Sequence, residues 1–142
     1  MKNNYLLIVH GEPNSIFSEI LFKAYKKKVV QKFNRPILII GSINLIKSQM
    51  KVLKYSIKIK SIDLKNLKNT KLNKKYLNIV DVKYSYKKIF NKVSDISNSY
   101  INKCFDIAIN LLREKTAFAL INGPISKKYF LKKKYLGMTE YL

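Results

Sequence analysis

The sequence of 142 residues has no tryptophan, one cysteine, one histidine, two arginines and only eight acidic residues. The lone Cys104 excludes an internal disulfide and any cysteine-rich zinc site. The lone His10 excludes a metal centre built from several histidines of this chain. No apolar run reaches the ~18 residues that a membrane-crossing helix needs. The apolar start, Tyr5 to Val9, has no small-residue cleavage site, so a secretory leader is not expected and the cytoplasm is the expected compartment. No second and third glycine follow Gly11, so there is no dinucleotide fingerprint. No Gly-Lys-Ser/Thr occurs, so there is no P-loop.

What is present is lysine. Lys and Arg number 29 against 8 acids, a formal charge of +21. Such a balance raises nucleic acid or an anionic membrane surface as partners. Only Arg35 and Arg113 are arginines, however, and arginine is the side chain that reads phosphate and guanine in two-pronged fashion. Lys, Asn, Ile and Tyr, each encodable by A and T alone, fill half of the chain, which points to a composition bias spread over solvated faces. Ile20 to Ile62 still carries ten lysines, one arginine and no acid, so a one-sided basic surface stays open, and salt-sensitive binding to polyanions is expected.

The apolar pattern predicts an α/β protein: a mostly parallel sheet covered by helices, formed by residues 1–142 as one domain. Continuous apolar runs predict buried strands over Tyr5–Val9, Pro36–Gly41, Tyr76–Val82 and Ala117–Ile121, and alternation predicts a half-exposed strand over Ile57–Ile62. Helices are predicted from Ser15 to Lys32, with Phe17, Ile20, Leu21 and Ala24 inward, and after Ser42, with Leu45, Ile46, Gln49, Met50 and Leu53 inward. A long helix opens at Ser97 or Ser99, and its stripe from Tyr100 to Leu112 takes in Cys104 as a packed thiol. Ser126 caps a short basic helix through Lys134, and Lys/Asn-rich residues 65–75 read as a surface loop.

In open α/β sheets ligands bind beyond the carboxyl ends of the strands. Three turn clusters fall there: Gly11-Glu12-Pro13, Gly41-Ser42 and Asn122-Gly123-Pro124. His10, at a strand end, reads either as a base or ligand or as a hydrogen-bonded structural residue. Lys127 reads either as a solvated lysine or as one facing an anion.

The ordered set Gly11-Glu12-Pro13 with Glu19-Ile20, then Ala119 to Lys127 (Ala-Leu-Ile-Asn-Gly-Pro-Ile-Ser-Lys), then Gly137-Met138-Thr139-Glu140-Tyr141 resembles the N-terminal part of the 4-hydroxythreonine-4-phosphate dehydrogenases of vitamin B6 synthesis. That family opens with Gly-Asp/Glu-Pro-x-Gly-x-Gly-Pro-Glu and later carries Thr-Gly-Pro-x-x-Lys and Gly-His-Thr-Glu-Phe/Tyr. The resemblance spans nearly the whole chain and only the first part of the family's length. It implies the N-terminal portion of a two-domain fold of the isocitrate/isopropylmalate dehydrogenase type, paired as a homodimer when full length. It also implies an NAD-dependent oxidation assisted by a divalent metal (Zn, Mg or Co). The secondary alcohol of a small phosphorylated substrate, 4-phosphooxy-threonine, would become a ketone on the way to pyridoxal phosphate.

Residue by residue, Thr139 matches a substrate-contacting threonine, and Met138 stands where the family has a substrate-contacting histidine. Gly11, Glu12, Asn122, Gly123, Pro124 and Lys127 are expected to line the site. No catalytic residue or metal ligand is assigned, because the family's three metal-binding histidines have their places past Leu142. The chain is therefore expected to be the N-terminal part of a longer protein and inactive alone. It also departs from the family: Ser15 and Phe17 replace glycines, and Ser18 replaces proline. Phe17 cannot copy the close backbone approach of a glycine. Two other readings stand beside this one. One is a diverged, non-catalytic binding or partner-interaction domain. The other is a basic nucleic-acid-binding domain, for which no RNA-binding, zinc or helix-turn-helix motif speaks.

Overall fold

A computed structural model describes residues 5–142. Five strands, β1 (Tyr5–Val9), β2 (Ile37–Gly41), β3 (Ile59–Ser61), β4 (Leu77–Asp81) and β5 (Ala117–Asn122), form one sheet in the order β3-β4-β2-β1-β5. Every pairing is parallel, with Leu7 opposite Leu38 on one side and Leu120 on the other. Helices α1 (Phe17–Lys26) and α2 (Ile43–Val52) cover one face, over Ile8, Ile37, Ile39, Leu77 and Ile79. Helix α3 (Asn98–Arg113) covers the other, over Tyr5, Leu7, Val9, Leu38, Ile40 and Val80. Strands buried on both faces must be apolar at consecutive positions, which is why these runs do not alternate.

Ser42 caps α2, its Oγ accepting from the Leu45 N–H at 3.3 Å, and Leu45, Ile46, Gln49 and Met50 are its buried face, as the stripe predicts. On α3 the buried stripe runs Tyr100, Ile101, Cys104, Phe105, Ala108 and Leu111. Burial pushes the Cys104 thiol up to about 12. We expect Cys104 to resist alkylation by iodoacetamide at pH 8 in the native protein and to react once urea unfolds it. Rapid native labelling, read by mass spectrometry, would contradict this packing.

Five expectations need correction. Helix α1 stops at Lys26 rather than Lys32. Lys28 turns left-handed (φ 57°) while Val29 N–H still reaches the Ala24 carbonyl, and a separate 3-10 turn, Val30–Lys32, follows. The α1 face is also rotated: Ser18, Leu21, Phe22 and Tyr25 are buried, and Ile20 is 52% exposed. The predicted stripe counted apolar letters, and hydrogen bonding draws Ser18 inward instead. Strand β5 is not buried. It is a sheet edge, with Ala117 and Leu120 against the α3-side core and Phe118 and Ile121 exposed. Residues 65–75 are more than surface: a 3-10 helix, Leu64–Asn69, starts at Asp63, and Leu67 and Leu72 are buried in the α3-side core. The basic segment after β5 is one π-helical turn, Lys127–Leu131, capped by Ser126 and ended by left-handed Lys132. Residues Met138–Tyr141 form the last helix, α4.

Candidate functional site

β1 and β5 are parallel neighbours, yet the chain leaves their carboxyl ends toward opposite faces of the sheet. After β1 it runs to α1, and after β5 to the turn whose Phe130 and Leu131 join the α3-side core. In open α/β sheets such a divergence is where a ligand crevice is expected, here between the two departing loops. The loops are His10 to Ser15 and Asn122 to Ser126, and they are fused at their bases. Gly123 N–H donates to the Val9 carbonyl and Glu12 N–H to the Pro124 carbonyl, both at 2.7 Å. Gly11 is left-handed (φ 77°), and a Cβ there would sit 2.5 Å from the Pro124 carbonyl oxygen. A Cβ on Gly123 would collide with the His10 backbone carbonyl. Both glycines are therefore required by close approach of two backbones.

Glu12 is 3% exposed. Its Oε1 accepts from the backbone N–H and side-chain amide of Asn14, at 3.1 and 3.3 Å. Its Oε2 accepts from the Ser97 hydroxyl at 2.8 Å. Ser97 directly precedes α3, so Glu12 ties the first loop to the start of that helix. Asn14 Oδ1 in turn accepts from Asn91 N–H at 2.8 Å, holding the segment after β4 against the same loop.

Under the crevice lies a buried polar relay. His10 Nε2 and Ser18 Oγ are 2.7 Å apart, Ser18 Oγ donates to Gln49 Oε1 at 2.6 Å, and Gln49 Nε2 donates to the Pro13 carbonyl at 2.8 Å. The last bond fixes the orientation of the Gln49 amide. Ser18 spends its only proton on Gln49, so His10 Nε2 must carry the hydrogen in the bond to Ser18. Nδ1 is then a bare acceptor, buried and without a partner among the described residues. Burial lowers the His10 pKa to about 4, so the ring is neutral at physiological pH. Phe17 stands edge-on to it at 6.0 Å, and Gly41 makes room on the other side. Phe17 and Ser18, two departures from the family motif, are thus built into the histidine's surroundings.

The structure brings Gly11, Glu12, Asn122, Gly123 and Pro124 together. Lys127 is exposed at the start of the π-helical turn. Met138 is half-buried against the α3-side core, and Thr139 is exposed on α4. Tyr141 anchors α4, its hydroxyl donating to Asn102 Oδ1 at 2.6 Å and its ring packing on Phe105 and Phe130. Sequence reasoning missed Ser97 as the partner of Glu12 and Ser18 as the partner of His10. Gln49 on a stripe of apolar residues was the one visible signal, since a buried amide demands polar partners.

Residues 32–142 match the family described as pyridoxal phosphate biosynthetic protein PdxA. The chain is 31% identical over 140 residues to the 4-hydroxythreonine-4-phosphate dehydrogenase of Sulfurihydrogenibium sp. (strain YO3AOP1), covering 96% of this chain and 41% of that protein. Solved structures named 4-hydroxythreonine-4-phosphate dehydrogenase superpose with TM-scores of 0.80 (Burkholderia phymatum, 19% identity) and 0.77 (Klebsiella pneumoniae, 18% identity). Each match covers 96% of this chain and 42% of the solved one. At those identities they establish the fold. The chain spans about two fifths of the length of these relatives.

Proposed function

The chain belongs to the PdxA family of pyridoxal phosphate biosynthetic proteins, and from that premise we propose that it forms the first part of a dehydrogenase oxidising 4-hydroxythreonine-4-phosphate with NAD and a divalent metal. The observation that carries the proposal is the fused pair of loops at the β1/β5 divergence, where two of the three family motifs meet. The third motif supplies Thr139. Its exposed hydroxyl both donates and accepts hydrogen bonds, which suits an alcohol or phosphate oxygen of the substrate. Gly11, Glu12, Asn122, Gly123 and Pro124 provide a rigid floor, and Lys127 a cation at its rim. The substrate's dianionic phosphate would be drawn by the chain's excess positive charge.

The described residues do not fit the metal. Among them no group of three or more His, Cys, Asp or Glu side chains could hold an ion. The His10 ring is buried with Nε2 engaged, and both Glu12 oxygens are taken by donors. In this reading the polypeptide is catalytically incomplete alone, binds the small phosphorylated substrate weakly, and works within a longer, homodimeric protein in the cytoplasm. Met138 favours a second reading, a diverged binding domain, because a thioether packed against the core cannot replace a proton-exchanging histidine.

The test is binding of 4-hydroxythreonine-4-phosphate by calorimetry, with NADH formation followed in parallel. We expect saturable binding, no NADH from this chain with Zn, Mg or Co, and a loss of about five- to tenfold in affinity for Thr139→Val, the value of one hydrogen bond. Binding untouched by Thr139→Val would remove Thr139 from the site. Turnover by the isolated chain would overturn its incompleteness, and no binding at all would favour the second reading.

A further inference from the structure

A cleft of about 570 Å³ opens at the opposite end of the sheet from the fused loops, beside the amino ends of β3 and β4 and the carboxyl ends of α1 and α2. Its basic lining is Lys26, Lys54, Lys58 and Lys75, and no carboxylate lines it. Its aromatic lining is Tyr25, Tyr55 and Tyr76. The Lys26 ammonium lies 5.6 Å from the Tyr55 ring centre, and that of Lys58 lies 5.7 Å from the Tyr76 ring centre. Two lysines are thus drawn to the aromatic walls rather than to an acid.

Part of this pattern has an ordinary cause. Lysines at the ends of α1 and α2 complement the negative ends of the helix dipoles. That accounts for Lys26 and Lys54 but not for Lys58 and Lys75, which lie at strand starts. Nor does it account for Tyr25. This residue is 4% exposed, yet its hydroxyl has no hydrogen-bond partner among the described residues. An orphan buried hydroxyl costs about 1–3 kcal/mol and calls for an acceptor. Burial also raises its pKa, so it stays a proton donor throughout the physiological range. The volume lies within the range of small-ligand sites, roughly 300–1,000 Å³.

We propose that this cleft is a second ligand site, separate from the strand-end loops, for a small molecule carrying two or more phosphate or carboxylate charges. The four ammonium groups supply the charge, and the sealed Tyr25 hydroxyl becomes a donor once seating of the ligand turns it toward the cleft. The neighbouring cleft, lined by Lys60, Lys71 and Lys74, shares Tyr76 with it, so a longer polyanion is the competing occupant. Two features favour the small anion. The Tyr25 residue with its orphan hydroxyl lines only the first cleft, and two of the three cations of the second are already engaged: Lys60 Nζ donates to the Lys71 carbonyl at 2.9 Å and Lys74 Nζ to the Phe33 carbonyl at 2.6 Å.

The experiment is titration of the whole chain with inorganic pyrophosphate at about 0.15 M salt, where distant surface charge is screened, read by amide NMR. The expected result is saturable shifts at residues 25–26, 54–58 and 75–76. The double variant Lys58→Gln/Lys75→Gln should bind at least about tenfold more weakly, and Lys103→Gln/Lys134→Gln, which removes the same charge elsewhere, less than about twofold. Tyr25→Phe should weaken binding about three- to tenfold while leaving Tm unchanged or higher, an outcome that a merely structural hydroxyl would not give. Equal losses in the two double variants, shifts that never saturate, or unchanged binding in Tyr25→Phe would overturn the proposal. So would a poly(dT) strand that displaces pyrophosphate stoichiometrically and extends the shifts to Lys60, Lys71 and Lys74.

Discussion

Gly11→Ala is expected to lower stability by about 3–5 kcal/mol, through a strained left-handed alanine and an overpacked backbone contact together. For a domain of this size that is roughly 10 °C or more in Tm. The left-handed φ of 77° would remain even if the neighbours moved, and the new methyl would stand 2.5 Å from the Pro124 carbonyl oxygen and 2.8 Å from the Gly123 carbonyl carbon. Neither contact is to a flexible side-chain tip. Relief requires the two loops to part, which breaks the bond from Glu12 N–H to the Pro124 carbonyl. Gly123→Ala should behave alike, at about 3 kcal/mol, because its Cβ meets the His10 backbone and lies 2.7 Å from the Val9 carbonyl oxygen. Gly137→Ala is the internal control. There the nearest atom is the Glu140 carboxylate at 3.4 Å and the backbone is extended, so its Tm should move by less than about 2 °C. Thermal melts of the three variants decide the matter. A Gly11→Ala melt within about 2 °C of the parent would mean that the loops are not fused as described.

How much of this was legible in the sequence follows from the range of the forces involved. Strands β1, β2 and β4 and the α3 stripe fall where the apolar runs put them, because burial on both faces of a parallel sheet leaves a local mark. The Ser42 cap was legible for the same reason, acceptor and donor being three residues apart. The exposure of β5 was not, because an edge strand and an inner strand carry the same apolar letters. What decides between them is whether a neighbour lies on both sides. Leu67 and Leu72 were hidden by the lysines and asparagines around them. The turn clusters could be placed at the strand ends, but their fusion could not, since Gly11 and Gly123 meet only after the intervening chain has crossed the sheet. The pairs Glu12 with Ser97 and Ser18 with Gln49 are separated by 85 and 31 residues, and no local period announces them.

The second large effect is one of pH. His10 is the chain's only histidine, so a single ring governs stability between neutrality and the carboxylate range. Unfolded, it titrates near 6.5; folded, burial holds it at about 4. In that window the unfolded chain binds the proton and the folded one does not, so acid favours unfolding. Above about pH 6.5 the penalty is absent; it grows to about 2 kcal/mol at pH 5 and levels off near 3 kcal/mol below pH 4. The cause is geometric. The proton would have to go to Nδ1, buried and without an acceptor, while Nε2 already donates to Ser18. Urea midpoints at pH 7.5, 6 and 5 measure the slope. His10→Gln can still donate to Ser18 but does not titrate. It should be less stable than the parent at pH 7.5, from lost packing, yet show a much flatter profile down to pH 5. The single imidazole Hε1 resonance gives the midpoint directly. A midpoint near 6.5 would mean that Nδ1 is in water or has found a partner, and that the relay under the crevice is open rather than closed.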